Sequence, residues 1–375
     1  MIRIVQLGLT ENYYGTEKAI MNTYKAIDKK KVQFDFLVHH STPRLPYETE
    51  IEEMGGKVYR EYFDYSEKKS YNYISPKQFF KNHPEIKGIH YNVNKFTPVY
   101  RYIEAAKKIG IPIRVIHSHN SGNMNKSSIK AKVYNVYVKS RLRWTSTDLI
   151  ACSKLAGRWN FGRMNFEVIN NSIDVEKYKY NKIMRNIIRE KYNLQGKFVV
   201  GFIGRLQYQK NPEFTVKIYK ELKKKKPNSV LVILGDGELY QQVLLSLKQQ
   251  NLKDVYMLGR VDNVEDWLQA FDCFLFPSRF EGLGIALVEA QATGLQCYTS
   301  KDVVPREVNI TEKVEFISLA DPPAEWARRI LERPLSERKD MSDKIINAGY
   351  DFISLGNTMT KIYEKDYMKN NKKGI

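Results

Sequence analysis

The sequence predicts an α/β protein built from two doubly wound domains, each around a parallel sheet. Three observations predict it: β-type runs alternate with helical stretches, the alternation restarts midway, and 375 residues exceed what one core ordinarily organises.

In the first half, apolar-rich Ile2–Leu7 reads as a strand, followed by a Gly-containing loop and a helical stretch over Glu17–Ile27. Further strands are expected at Phe34–His39, Val58–Tyr62, Ile111–His117, Leu149–Ser153 and Phe166–Asn170, with Leu155–Phe161 helical. The charge-rich stretch 181–195 reads as a linker. Beyond it, strands at Phe198–Ile203, Val230–Leu234, Val255–Leu258 and Cys273–Phe276 precede helices at Pro212–Lys226, Glu238–Gln250, Val264–Phe271 and Gly284–Ala292. Strand Val314–Leu319 and helix Ala324–Leu331 extend the series, and Ser336–Lys369 reads as mostly helical. The expected organisation is therefore a first domain over residues 1–180, the linker, a second domain over 196–345 and a terminal helix over 346–375. No repeat of solenoid period is present.

Composition narrows the function. Apolar runs such as Cys273–Phe276 are far shorter than the roughly 20 residues of a membrane span, and the first residues lack a signal peptide's basic head and cleavage site. A cytoplasmic protein is expected. Cys152, Cys273 and Cys297 are odd in number, widely spaced and set in β-type runs, which suits buried thiols better than disulfides or a zinc site. The net charge of +19 is lopsided: residues 1–190 hold 33 Lys and Arg against 18 Asp and Glu, and the remainder 28 against 24. No acidic residue separates Glu104 from Asp148, whereas Lys107, Lys108, Arg114, Lys126, Lys130, Lys132, Lys139, Arg141 and Arg143 fall there. Such a block calls for an anionic neighbour.

In open parallel sheets ligands bind beyond the carboxyl ends of the strands, so the strand-to-helix loops carry the chemistry. The most informative runs from Phe280 through Glu281, Gly282, Leu283, Gly284 and Ile285 to Glu289 and Ala290. A helix starting near Gly284 presents free N–H groups and a favourable dipole to an anion. Glu289, in an otherwise apolar helix, needs a hydrogen-bond partner, which a sugar hydroxyl could supply. Arg205 and Lys210 lie in the loop after Phe198–Ile203, where Asn211 would cap a helix opened by Pro212, and suit a diphosphate. Leu234-Gly235-Asp236-Gly237-Glu238 and Leu258-Gly259-Arg260-Val261-Asp262 are further loops, each readable also as a plain tight turn. The first domain adds Tyr13-Tyr14-Gly15 at a helix start, and His117 and His119 at a strand end.

Glu281 and Glu289, with seven residues between them inside Glu-Gly-Leu-Gly-Ile-Ala-Leu-Val-Glu-Ala, resemble the E-x7-E motif of the retaining GT-B glycosyltransferases of family four. The resemblance covers most of the chain, with its specific motifs at about 196–335. It implies the GT-B fold, two Rossmann-like domains facing a cleft, with a terminal helix crossing back to the first. It implies that Glu281 contacts the donor sugar, that Glu289 holds the ribose hydroxyls, and that the backbone of Gly282, Leu283, Gly284 and Ile285 faces phosphate and sugar. Arg205 and Lys210 then bind the nucleotide diphosphate, the loops of Gly235 and Gly237 complete the donor site, and the backbone near Arg260 and Val261 recognises uracil. Gly15 would approach the phosphate, and His119 would lie near the reacting sugar, in sugar contact or proton support. Val168–Asp174 resembles the family's interdomain segment, and the chain departs from the family with Tyr14 where a glycine is frequent and with Ser172 where glycine is usual.

The activity expected is transfer of a sugar from a nucleotide sugar, a UDP-sugar, to a glycan or polyprenyl-linked sugar with retention of configuration, in cell-surface polysaccharide assembly such as capsule or exopolysaccharide. Glu281, His119, Arg205 and Lys210 are the expected catalytic group. No Asp-x-Asp motif occurs, so a metal and other cofactors are not expected. A helix over Lys126–Arg143 would align Ile129, Val133, Val136 and Tyr137 between basic flanks, which fits an anionic membrane surface, although the same stripe could pack on its own sheet. The protein would then sit peripherally on the inner face of the cell membrane. A GT-B epimerase or phosphorylase is the nearer alternative. A nucleic-acid-binding protein without catalysis is the distant one, since no motif for nucleic acid is present and none is expected as a partner.

Overall fold

The computed structural model describes residues 1–12, 15–63, 74–122, 128–333 and 337–371. Tyr13, Tyr14, Lys126 and Ser336, which figure in the expectations above, lie outside the described residues. The chain divides into two compact units, Met1–Ser172 with Phe352–Ile375, and Ile173–Asp351.

The first unit holds β1 (Ile2–Leu7), β2 (Val32–His39), β3 (Val58–Glu61), β4 (Ile86–Val93), β5 (Ile113–Ser118), β6 (Asp148–Ala151) and β7 (Glu167–Val168). They form one parallel sheet ordered β3-β2-β1-β4-β5-β6-β7. β1 and β4 are neighbours at the point where the winding reverses, with Ile4 opposite Gly88 and Gln6 opposite His90. β4 was not expected from the pattern. Its His90 and Asn92 are buried, and their partners lie far away in sequence. The core gathers Ile4, Phe34, Phe36 and Val115 with Leu355, Met359, Ile362 and Tyr363 of the terminal helix Phe352–Asn371. That apolar stripe ties the helix to the first unit, and Tyr363 meets Phe34 edge-on at 5.9 Å.

The second unit holds β8 (Phe198–Ile203), β9 (Ser229–Leu234), β10 (Val255–Met257), β11 (Cys273–Phe276), β12 (Gln296–Ser300) and β13 (Val314–Ile317). All pairings are parallel, in the order β10-β9-β8-β11-β12-β13, so the winding reverses between β8 and β11. β8 and β9 are nearly all apolar because both faces of the sheet are covered. The stretch expected as a linker is instead a part of this unit: residues Lys182–Lys191 form a helix whose Arg185 and Arg189 both reach the buried Asp272. The unit boundary falls earlier, where Ile173 forms a bridge with Asp351 as the chain leaves the unit again.

The helix Ile129–Thr145 begins at Ser128, whose side chain accepts from the amide of Ala131. Val138, Leu142 and Thr145 form its buried side. The apolar stripe expected over Ile129, Val133, Val136 and Tyr137 is exposed, with Ile129 at 80%, Val133 at 65% and Val136 at 70%. It does not pack on the sheet. Lys130, Lys132 and Arg143 are exposed with it, whereas Arg141 pairs with Glu104 at 2.7 Å and Lys139 donates to the carbonyl of Trp159. Among the described residues, no helix is long and apolar enough to cross a membrane.

Candidate active site

The second unit's expected residues lie in loops at the carboxyl end of its sheet, with Arg205, Lys210, Glu281 and Gly282–Gly284 at the switch between β8 and β11 and the loops of Gly235, Gly237, Arg260 and Val261 after β9 and β10. The chain leaves β8 through Gly204 and Arg205, passes a short 3-10 turn at Tyr208–Lys210, and enters helix Pro212–Lys225. It leaves β11 through Pro277, reaches Glu281, and enters helix Ile285–Ala292 with Gly284 as N-cap. Lys210 Nζ and Glu281 Oε1 join the two loops at 2.7 Å, with side-chain exposures of 18% and 6%. The ammonium also lies 4.4 Å from the centre of the Phe276 ring. This pair fixes the two loops to each other at the site where parallel sheets bind ligands.

Other bonds hold the same loops in place. Gln209 accepts the amide of Arg279 through its carbonyl, and its side chain donates to the carbonyl of Phe280. Asn211 takes the N-cap position in the left-handed region, but its side chain does not cap the helix. It donates instead to the carbonyl of Pro277 and accepts from Arg279, whose guanidinium stacks 4.5 Å from the Tyr208 ring centre. Arg279 was not among the expected residues, although a cation two places before Glu281 was visible in the sequence.

The three loops after β8, β9 and β10 are laced by backbone bonds from Leu206 to Asp236, 2.9 Å, and from Gly235 to Gly259, 2.7 Å. Gly235 has a φ of +137°, and a Cβ there would stand 2.0 Å from the carbonyl oxygen of Gly204. Its lack of a side chain is therefore required by loop packing as such. Gly237 packs likewise against Leu206. Arg260 is exposed on the third loop and Val261 is half-buried.

Gly284 has φ 86° and ψ 59°, so a glycine starts this helix at little strain. Gly282, Leu283 and Gly284 are buried, and Ile285 is partly so. The helix N-terminus suits an anion in both dipole and free N–H groups. Glu289, one further turn along, is buried and accepts a hydrogen bond from the Tyr178 hydroxyl at 3.0 Å. The partner its burial demands is thus met within the chain, by a residue 111 positions away that no local pattern signals. Burial, then the charge of Glu289, pushes the Tyr178 hydroxyl well above its ordinary pKa.

The first unit places its expected residues at the corresponding end of its own sheet. Gly15 opens the helix Gly15–Ala26, and a Cβ there would meet nothing within 4 Å. The fold itself therefore does not require glycine at that position. His119 is buried just beyond β5, and its Nε2 lies 2.9 Å from Asn92 Oδ1. The Asn92 amide nitrogen donates to Gln6 Oε1 and to the Leu7 carbonyl, both at 3.0 Å. Because a carbonyl only accepts, the oxygen of Asn92 must be the atom facing His119, and Nε2 is the protonated ring nitrogen. Burial lowers the His119 pKa to about 3, so the ring is neutral at ordinary pH and cannot act there as a cationic acid. His117 lies against it with tilted rings whose centres are 4.0 Å apart, and His90 follows at 5.4 Å from His117.

With this geometry in hand, the chain can be set beside known proteins. The model of the glycosyl transferases group 1 family matches residues 184–352. EpsF of Bacillus subtilis (strain 168), named as a glycosyltransferase, is 30% identical over 97% of this chain and 98% of its own length. This chain belongs to that glycosyltransferase family. An Escherichia coli enzyme named UDP-Gal:alpha-D-GlcNAc-diphosphoundecaprenol alpha-1,3-galactosyltransferase is 36% identical to this glycosyltransferase over 143 residues, 36% of this chain and 37% of that protein. Among solved structures, HepE of Anabaena in complex with UDP and glucose aligns with a TM-score of 0.77 over 97% of this chain and 100% of its own, at 16% identity, a likeness of fold. The two Rossmann-like parallel-sheet units are those of the expected GT-B class.

Proposed function

We propose that this glycosyltransferase moves a sugar from a UDP-sugar to a lipid-linked sugar acceptor with retention of configuration, during assembly of a cell-surface polysaccharide. The observation that carries the reading is the pair of half-buried Lys210 and buried Glu281 at the β8–β11 switch, beside the N-terminus of helix Ile285–Ala292. A cation, a carboxylate and a helix N-terminus together suit a sugar attached to a diphosphate. The names of relatives support the substrate classes: the E. coli enzyme's includes UDP-Gal and a diphosphoundecaprenol acceptor, and HepE was solved with UDP.

As the anomeric C–O bond breaks, negative charge grows on the β-phosphate, and Arg205, Lys210 and the Gly282–Ile285 backbone stabilise it. Glu281 orients the donor sugar, Glu289 holds the ribose with Tyr178 as its internal partner, and neutral His119 contacts the sugar. Gly15 lends its backbone to the phosphate, and the loop of Arg260 and Val261 receives the base. No metal is required in this scheme. The decisive experiment offers nucleotide sugars with and without a polyprenyl-diphosphate-linked sugar, following nucleotide release and the product's anomeric configuration. Failure of every nucleotide sugar to bind or turn over would overturn the reading. Arg205→Ala is expected to lower kcat/KM by roughly 10²- to 10³-fold while the protein stays folded, the cost of one lost donor to developing charge. Turnover unchanged by EDTA is expected alongside.

We further propose that the exposed face of helix Ile129–Thr145 rests on anionic lipid at the inner face of the cell membrane. Ile129, Val133 and Val136 supply apolar contact, Lys130, Lys132 and Arg143 supply charge, and Trp144, 49% exposed, suits the headgroup level. Val133→Asp with Val136→Asp should weaken sedimentation with anionic vesicles by roughly tenfold or more. Equal sedimentation of the variant and the parent, or no preference for anionic over neutral vesicles, would sink the docking proposal.

A further inference from the structure

Lys210 already has a counter-ion. Its ammonium lies 2.7 Å from Glu281 Oε1, the Phe276 ring lies 4.4 Å away, and a Cβ on Gly204 would come within 3.3 Å of its methylene chain. The lysine is thus held in a tight, mostly buried seat with Glu281, the carboxylate assigned to the donor sugar.

We infer that Glu281 is a built-in competitor for the diphosphate seat at Lys210, weakening a free nucleoside diphosphate more than a nucleotide sugar and so favouring product release. The inference rests on the proposed reading of this site and adds to it a role in the step after transfer. A diphosphate that takes up Lys210 must break or share the ion pair, and it then stands near the negative charge of Glu281. When a sugar is attached, its hydroxyls can donate to the carboxylate and offset that repulsion. Once the sugar has gone, that offset is lost. The free diphosphate leaves and the Lys210–Glu281 pair closes again. A carboxylate that merely held the two loops together would not distinguish one phosphate from two.

The size of the effect follows from the charge. A unit charge about 4 to 6 Å away changes a binding constant by roughly fivefold in a water-like medium and far more in a protein-like one. Because the ion pair itself partly cancels the field of Glu281, the change should lie near the lower end, about tenfold.

The test is calorimetric titration of the full chain with UDP and with UMP at fixed salt, in the parent and in Glu281→Gln. Glutamine keeps the size and an acceptor oxygen for Lys210. The expected result is UDP bound about tenfold more tightly by Glu281→Gln, with UMP changed less than about twofold. Glu281→Asp, which keeps the charge and withdraws it by one methylene, is expected between the parent and Gln and serves if Gln does not fold. UDP bound by the variants with unchanged or lower affinity would overturn the inference and leave the reading of the site standing. So would an equal gain for UMP and UDP. Failure of the parent to bind UDP at all would overturn the reading, and the inference with it.

Discussion

Asp272→Ala is expected to destabilise the second unit by about 3 to 5 kcal/mol, the usual cost of removing one partner from a buried ion pair. The carboxylate is 8% exposed and serves three donors: Arg185 through Oδ1, and Arg189 at 3.2 Å and the Val199 amide at 2.7 Å through Oδ2. The arginines cannot simply turn to water. Arg189, 7% exposed, also donates to the carbonyls of Ala270, Leu194 and Lys197, and Arg185 donates to those of Gln269, Ala270 and Phe271. Arg338 reaches the same turn, at Leu268, Gln269 and Phe271, and burial, then the nearby Arg185, lowers its pKa to about 9. Three guanidiniums therefore converge on the end of helix Val264–Ala270, and Asp272 is a close anion among them. Hydrogen exchange should show protection lost in β8 and in helix Lys182–Lys191, while β1 and β4 keep theirs. Asp272→Asn, which retains an acceptor, should lose less. Protection in β8 unchanged by Asp272→Ala would show the arginines to be satisfied by carbonyls alone.

This cluster also shows where sequence reading stops. Helix Lys182–Lys191 looked like a linker because Lys182, Arg185, Arg189, Glu190 and Lys191 crowd a segment of ten residues. Its attachment comes from arginine bonds to a turn more than 80 residues later, which no local periodicity encodes. β4 was missed for a similar reason. Its His90 and Asn92 break an apolar run, and bonds to Tyr363, His119, Gln6 and the Leu7 carbonyl make their burial affordable. By contrast, β8, β9 and β11 were legible as short apolar runs bounded by turn residues, and Gly284 marked the start of its helix within one position. The loops carrying Arg205, Lys210 and Glu281 could be named because a parallel sheet fixes where such loops emerge. What could not be named was pairing: that Lys210 would meet Glu281, that Tyr178 would satisfy Glu289, and that the Asn211 side chain would leave its cap to hold Arg279. Such pairings depend on the packed fold.

The first unit is expected to lose stability steeply below about pH 6.5, because three histidines are buried neutral in a single cluster. His90 on β4 hydrogen-bonds Tyr363 of the terminal helix at 2.6 Å, His117 on β5 lies between the other two rings, and His119 bonds Asn92. Burial lowers His90 and His119 to about 3 and His117 well below its usual value, with the neighbouring imidazoles adding to the effect on His90 and His117. The unfolded chain takes up protons at these rings near pH 6.5, whereas the folded one keeps His90 and His119 neutral to near pH 3 and His117 neutral well below its usual range, so the rings' contribution to stability falls as pH drops through 6.5. Each ring costs about 1.4 kcal/mol per pH unit there. One group opposes them: Asp366 of the terminal helix, buried beside Asp148, is raised to about 7 and holds a proton in the folded state over the same range. Burial is its first cause, and the shared proton with Asp148 its second. The net approaches two protons, or roughly 2.7 kcal/mol per pH unit, once the unfolded rings are fully protonated, enough to remove about 3 kcal/mol between pH 6.5 and 5. Hydrogen exchange, corrected for intrinsic rates, should show β4 and β5 losing protection over that interval while β8 and β9 change less. His90→Gln can still donate to or accept from Tyr363 and cannot titrate, so it should flatten the slope by about one proton. A slope that His90→Gln leaves unchanged would mean that the acid sensitivity arises elsewhere in the unit.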